Sequence, residues 1–337
     1  MKKFFVKKEQ IRELFRSFEH LNILVIGDVM VDNYVWGKVS RLSPEAPVPV
    51  VSVERKERRL GGAANVALNL QALGVHPILC SVIGVDQEGQ YFLDLLRQQK
   101  LSQKGILKSR ERITTVKTRI IGNNHQLIRV DEEMEEDIGT TETNQLLTLI
   151  QYILKHEKIH AVVFEDYNKG LITPRLIQRV VELCRNAGIP VCVDPKKKYF
   201  HAYKGVHLFK PNLKEMKEGL KLDHTPSIKE LQRLISSYRV KQKIDWVMVT
   251  LAEQGILINS RKIKEHIPAH VRNIADVSGA GDTVISVAAA CRALECHEIL
   301  TAALSNLAGG LVCEEVGVVP VNKQRLLEEA LNMDIVR

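Results

Sequence analysis

The 337-residue sequence has few aromatics, 5% of the chain with two tryptophans, and no stretch where basic and aromatic side chains interleave into a stacking platform. It also lacks a helix-turn-helix or zinc pattern, so the formal charge of +8 is no nucleic-acid signature. Lysine and arginine are spread along the chain, "KKK" at 196–198 being the one run of three consecutive basic residues. That spread favours small anionic ligands over a nucleic acid or membrane surface. The six cysteines contain no CxxC pair and mostly lie in apolar stretches. Reduced thiols in a cytoplasmic protein are expected, without disulfides or bound zinc.

Apolar runs such as "VISVAAA" fall far short of the ~18 residues of a membrane span. The N-terminal "MKKFFVKKEQIRELFRSF" is interrupted by charge and lacks both an apolar core and a small-residue cleavage site. Ile11, Leu14, Phe15 and Phe18 have helical spacing and predict a packed amphipathic helix, with a lipid-surface helix as the other reading. Two phosphate signatures are missing as well: GxxxxGK[ST] and GxGxxG occur nowhere.

What is present is ordinary globular usage, 45% hydrophobic and 26% charged, in a length that one large α/β domain can hold. Short β-branched runs recur: "NILVIGD" at 22, "PILCSVIG" at 77, "HAVVFED" at 160, "IPVCVD" at 189, "VHLFKP" at 206, "DWVMVT" at 245 and "GILIN" at 255. Helical patterns fill the gaps, the best punctuated being "TPRLIQRVVELCRNAG", with Thr173 as N-cap, Pro174 at the first position and Gly188 as stop. The alternation predicts a mostly parallel sheet with helices on both faces, in one domain over 1–337. Residues 33–60 and 112–133 are β-rich with turn chemistry but no helical period, and predict an antiparallel flap.

In such sheets ligands lie beyond the carboxyl ends of the strands, where Asp28, Asp32, Asp166, Asp194 and Asn212 fall. The octet "DVSGAGDT" at 276–283 adds a glycine turn before a helix. Small residues admit close backbone approach, and a helix start offers unpartnered N–H groups and a positive dipole end to a phosphate. A carboxylate there suits a proton acceptor for an attacking hydroxyl, so Asp282 is the candidate base and the Gly279, Ala280 and Gly281 amides the candidate anion hole. A capping aspartate after a glycine turn is the competing reading.

Two further constellations each carry a functional and a plain reading. In "RLGGAANVALNL", Gly61, Gly62 and Asn65 suit a polyhydroxylated ligand, or a tight turn before a core helix. In "KPNLKEM", Asn212 and Glu215 suit Mg²⁺ held through water, or an N-cap with an acidic first turn. The cations Arg41, Lys117, Arg119, Arg129 and Lys196 suit a substrate phosphate, or solvated flap charges.

In order and approximate spacing, "GDVMVD", "GGAANVA", "KPNLKE" and "DVSGAGDT" resemble the ribokinase-like (PfkB) family of sugar kinases over nearly the whole chain. "GDVMVDNYVWGKVSRLSPEAPVPVV", "NHQLIRVDEE", "DYNKG" and "VDPK" are similar to D-glycero-β-D-manno-heptose-7-phosphate kinases, the kinase domains of ADP-heptose synthases. The resemblance implies ATP as donor, the anomeric hydroxyl of the 7-phosphate as acceptor and a role in lipopolysaccharide core synthesis; a kinase of another phosphosugar and a noncatalytic sugar-phosphate sensor are the other readings, because a base and an anion hole do not identify the acceptor. It implies sugar contacts at Asp32, Gly61, Gly62, Asn65 and Asp194. Mg²⁺ and ATP phosphates would be organised by Asn212 and Glu215, nucleotide contacts would come from Thr250, Gly255 and Asn306, and a monovalent cation such as K⁺ would bind at Asp276. Ser278 departs from the threonine more usual there. No HxGH-type motif follows, so a separate nucleotidyltransferase is expected downstream. Exposed flap edges suggest a homodimer.

Overall fold

The computed structural model describes residues 4–337 apart from Asn124. Nine strands form the main sheet: β1 (Asn22–Gly27), β4 (His76–Gly84), β5 (Ile106–Ser109), β8 (Ala161–Glu165), β9 (Val191–Asp194), β10 (Leu208–Phe209), β11 (Trp246–Thr250), β12 (Ile256–Asn259) and β13 (Lys264–Ile267). Their spatial order is β13-β12-β11-β10-β9-β8-β1-β4-β5, parallel except for the antiparallel β11–β12 and β12–β13 pairs at one edge. Every run read as a strand from the sequence is one. The short β5 and β13, with little alternation to betray them, were not expected.

Burial on both faces explains why the central strands read as continuous apolar runs. In β1, Ile23 and Val25 join a core with α1 (Lys8–Ser17), α2 (Ala63–Ala72), α3 (Gln87–Gln98), α8 (Ala280–Ala293), α9 (Glu298–Val312) and α10 (Lys323–Ala330). Leu24 and Ile26 point the other way, into a core with α4 (Thr140–His156), α5 (Pro174–Asn186), α6 (Leu213–Leu220) and α7 (Ile228–Gln242). The punctuation of α5 holds: Thr173 Oγ1 accepts from the Leu176 amide at 3.2 Å and Pro174 is the first helical residue. All six cysteines are free. Among the described residues, no helix is long and apolar enough to cross a membrane.

The flap is a separate four-stranded sheet, β2 (Val29–Leu42), β3 (Pro49–Gly62), β6 (Val116–Gly122) and β7 (His125–Glu132), in the order β3-β2-β6-β7. It comprises two antiparallel hairpins, β2–β3 and β6–β7, joined by a parallel pairing of β2 with β6. The parallel centre follows from connectivity, because β2 continues from β1 and β6 follows β5, and β1 and β5 run in one direction through β4. The register sets Asp32 opposite Arg59 on one side and Lys117 on the other.

Candidate active site at the carboxyl end of the sheet

Polar residues terminate the apolar strands on one side of the sheet: Asp28 after β1, Glu165 and Asp166 at β8, Asp194 at β9, Lys210 after β10 and Thr250 at β11. The start of α8 packs against them. Gly279 is its N-cap with φ 78°, a left-handed conformation that any side chain would strain. A Cβ at 279 would also lie 2.9 Å from Asn65 Nδ2. The turn therefore brings α8 against α2 with no atom to spare.

Asp282, in the first turn of α8, is 4% exposed. Its Oδ2 accepts from Asn65 Nδ2 at 2.6 Å and its Oδ1 from the Tyr167 hydroxyl at 2.8 Å. Burial pushes its pKa up to about 6, against the pull of those two donors, with Asp194 pushing further and Lys210 opposing. Each oxygen keeps a lone pair. Ser278 to Gly281 are half-buried, so approach to the carboxylate runs along the glycine turn.

The Ala280 amide is not a free donor, since it closes a turn onto the Val277 carbonyl at 3.3 Å. The amides of Gly279, Gly281 and Asp282 have no acceptor among the described residues. Of the three amides expected to form an anion hole, those of Gly279 and Gly281 are free and that of Ala280 is not, while the Asp282 N–H is free beside them. A Cβ at Gly281 would lie 3.5 Å from Lys210 Nζ and 3.6 Å from Asp194 Oδ2, which puts this turn directly over a buried charge cluster.

In that cluster, carboxylate oxygens of Glu165, Asp194 and Asp282 lie within 4.8 Å of one another. Lys210 Nζ pairs with Asp194 Oδ2 at 2.7 Å, both side chains being about 95% or more buried. Burial opposes the Lys210 charge, but Asp194, Glu215 and Glu165 hold its pKa above the usual value. Both oxygens of Glu165 and Oδ1 of Asp194 are buried without a hydrogen-bond partner. Burial, then Asp194 and Asp282, drives the Glu165 pKa well up.

The sugar-side expectations are partly redirected. Asp32 is buried and accepts from Arg119 Nη1 at 2.5 Å, and a Cβ at Gly61 would sit 2.1 Å from its Oδ2, so glycine there is a requirement of close approach. Gly62 precedes α2 as its N-cap. Asn65 turns its amide nitrogen to Asp282 and spends one of its two N–H donors on the carboxylate.

The candidate phosphate cations are mostly occupied. Lys117 pairs with Asp131 and Glu133 at 3.0 and 2.7 Å, and Arg129 grips Asp131 through two bonds of 2.8 and 3.0 Å. Lys196 pairs with Glu215 and lies 5.3 Å from the Tyr167 ring. Arg41 is exposed nine residues along β2 from Asp32, about 30 Å at strand rise, and the fold does not bring it to this end of the sheet. Neighbouring acids on the flap strands were not weighed against these cations in the sequence.

On the nucleotide side, Asn212 and Glu215 form a reciprocal capping box at the start of α6: Asn212 Oδ1 accepts from the Glu215 amide and Glu215 Oε2 from the Asn212 amide, both at 2.8 Å. With Lys196 on Oε1, neither residue offers an unpartnered ligand oxygen, and only lone pairs toward metal-bound water remain. Thr250 bridges to Asn212. Gly255 lies in the turn between β11 and β12, and Asn306 on α9 donates to the Pro268 carbonyl at 2.8 Å. Asp276 Oδ1 accepts from the Ser278 amide and hydroxyl, and Oδ2 from the Gly317 amide at 2.9 Å. Although burial raises its pKa, those donors hold it below the usual value.

Sequence reasoning did not single out Glu165, Tyr167 or Lys210. The signal was a charged residue closing an apolar run, as in "HAVVFED" and "VHLFKP". Asp28 is structural, because its carboxylate accepts from the amides of Tyr167, Lys169 and Leu171 at 2.9, 3.1 and 3.0 Å and so anchors the loop that carries the phenol.

A doubly covered parallel sheet with a β flap, and a buried acid behind a glycine turn at a helix start, define a sugar kinase. Residues 20–325 match the pfkB family carbohydrate kinases, and the chain belongs to that family. It is 34% identical to the bifunctional protein HldE of Geotalea uraniireducens over 96% of this chain and 66% of that one. With the protein of that name from Campylobacter jejuni it shares 38% identity over 91% of this chain and 64% of the relative. It thus spans less than two thirds of the length of these curated relatives. Solved structures share the ribokinase-like fold at 15% identity. Tetrameric inhibited Escherichia coli phosphofructokinase-2 has a TM-score of 0.76, covering 92% of this chain and 99% of the other. Arabidopsis thaliana ribokinase complexed with ribose and ATP has a TM-score of 0.70, covering 91% and 99%.

Proposed function

We propose that this kinase transfers the γ-phosphoryl group of ATP to the anomeric hydroxyl of D-glycero-β-D-manno-heptose 7-phosphate, giving the 1,7-bisphosphate for ADP-heptose and lipopolysaccharide core synthesis in the cytoplasm. The observation that carries the reading is the buried Asp282 carboxylate beside the free amides of Gly279 and Gly281. Asp282 takes the hydroxyl proton, the sugar oxygen bonds to the γ-phosphorus, and the bond from that phosphorus to the bridging oxygen breaks to release ADP. The helix-start amides hold the migrating group, and Asn65 and Tyr167 keep the carboxylate in one orientation. Mg²⁺ fits the acid-rich strand ends, where Glu165 and Asp194 have free oxygens, and when bound supplies charge neutralisation for the phosphates.

The similarity to proteins named HldE supports the heptose phosphate as acceptor. Of the basic residues, Arg119 has the position best suited to the sugar phosphate, beside Asp32. Nucleotide binding is assigned to Thr250 at the end of β11 and Asn212 at the start of α6. Asp276 is assigned to a monovalent cation such as K⁺. Adenylylation of the product belongs to a nucleotidyltransferase activity, as the bifunctional name of the relatives suggests. Exposed Leu127, Ile128 and Val130 on β7 support a homodimer through the flap.

The test is a coupled ADP-release assay across heptose 7-phosphate, fructose phosphates and unphosphorylated sugars, with NMR of the product. Release only with heptose 7-phosphate and a C1-phosphorylated product is expected. Turnover with another phosphosugar alone would reassign the acceptor, and none with any would overturn the reading.

A further inference from the structure

The acidic run "DEEMEED" at 131–137 joins flap strand β7 to α4, and it is fastened along its length to the loop after β8. Glu133 accepts from Lys117 Nζ on β6 through Oε2 and from Lys169 Nζ through Oε1, both at 2.7 Å. Lys169 also reaches Glu135 at 3.0 Å. Backbone contacts fasten the same two segments: the Ile138 amide donates to the Gly170 carbonyl at 2.9 Å, and Arg112 Nη1 donates to the Glu136 carbonyl at 2.8 Å. Gly170 has φ 85°, and a Cβ there would lie 1.8 Å from the Glu136 carbonyl oxygen, so only glycine allows this approach. The Lys169 and Glu133 side chains are 11% and 21% exposed, which screens their pair less than a surface pair. Lys169 lies two residues from Tyr167, and both give their amides to Asp28 Oδ2, at 3.1 and 2.9 Å. The loop carrying the phenol is thus held from two sides, by Asp28 through its backbone and by the flap through the Lys169 side chain.

We propose that Glu133 and Lys169 are positioning residues for phosphoryl transfer: their ion pair ties flap strands β6 and β7 to the loop that carries Tyr167, and so sets the orientation of the Asp282 carboxylate. Neither side chain touches a reacting atom. Their effect passes through the Tyr167 hydroxyl, which donates to Asp282 Oδ1 at 2.8 Å. The tie begins on the sugar side, because Lys117 stands opposite Asp32 in the β2–β6 register. Orientation of the base therefore depends on where the flap sits, and small misplacements of a reacting group are costly. This inference rests on the reading of Asp282 as the base.

The test is a double-mutant cycle in kcat, run with the phosphosugar that the wild type turns over, together with NMR of isotopically labelled tyrosine in which Tyr167→Phe identifies the Tyr167 signal. Glu133→Gln should lower kcat ~10-fold with KM for ATP unchanged. It should add nothing further in a Tyr167→Phe background, and it should shift the Tyr167 signal. Lys169→Met should behave in the same way, whereas Lys169→Arg, which keeps the charge, should stay near wild type. If Glu133→Gln does not fold, Lys169→Met carries the cycle in its place. Losses that multiply in the double variant, or a Tyr167 signal that does not move, overturn the proposal and make the pair structural only. Absence of turnover by the wild type with every phosphosugar would defeat the substrate reading instead, and the tyrosine signal would still decide the coupling.

Discussion

The hydroxyl of Tyr167 donates to Asp282 Oδ1 across 2.8 Å, joining the loop after β8 to the first turn of α8 over 115 residues of sequence. With Asn65 on the other oxygen, the carboxylate is held between two donors from two elements. Both donors lower its pKa and burial raises it, leaving it at about 6. A carboxyl so tuned is ionised at neutral pH yet basic enough to take a proton.

Replacing Asp282 by Asn should lower kcat at least ~10²-fold, the lower range for a positioned base. The change is nearly isosteric and leaves the helix-start amides in place, so ATP affinity by calorimetry should change little. Equal kcat in the two proteins would take Asp282 out of the chemistry.

The pH dependence follows from the same group. The base acts as carboxylate, so kcat/KM should be near full at neutral pH and fall to half as pH drops through about 6, the pKa of Asp282. Tyr167→Phe removes a donor that stabilises the ionised form, which should move this acid limb to higher pH. A pH–rate profile of the two proteins reads the difference, and an unmoved limb would mean that the phenol does not tune the acid.

Gly279→Ala should destabilise by ~1–3 kcal/mol through its left-handed backbone. The added methyl would also press on Asn65 Nδ2, 2.9 Å away. Denaturant melts should show the loss, and kcat should fall with it because Asn65 is displaced from Asp282.

The pair of Arg119 with Asp32 offers a double-mutant cycle. Asp32 is 4% and Arg119 15% exposed in their side chains, so the ions are largely desolvated and should couple by ~0.5–3 kcal/mol. Arg119→Gln should also raise KM for the phosphosugar more than it lowers kcat. A stability loss with KM unchanged would make the pair purely structural.

Much of the architecture was legible because it rests on local chemistry. The apolar runs at 22, 160, 189 and 245 are short, β-branched and bounded by turns, as strands covered on both faces are, and Thr173 with Pro174 can start α5 from sequence neighbours alone. The octet around Asp282 was legible for the same reason, since a glycine turn and a helix start are properties of adjacent residues.

Contacts between distant segments were not legible. That Asn65 would face Asp282, that Lys117 and Arg129 would be neutralised by Asp131, and that Glu165 would be left without a partner depend on strands and helices far apart in sequence. The sequence by itself determined most of the segments that became strands and helices and where a glycine turn would open α8, because backbone preference and burial pattern act over a few residues. Tertiary structure alone decided which charges are paired, which amides stay free and which carboxylates crowd together, because electrostatic energies follow distance in space and burial.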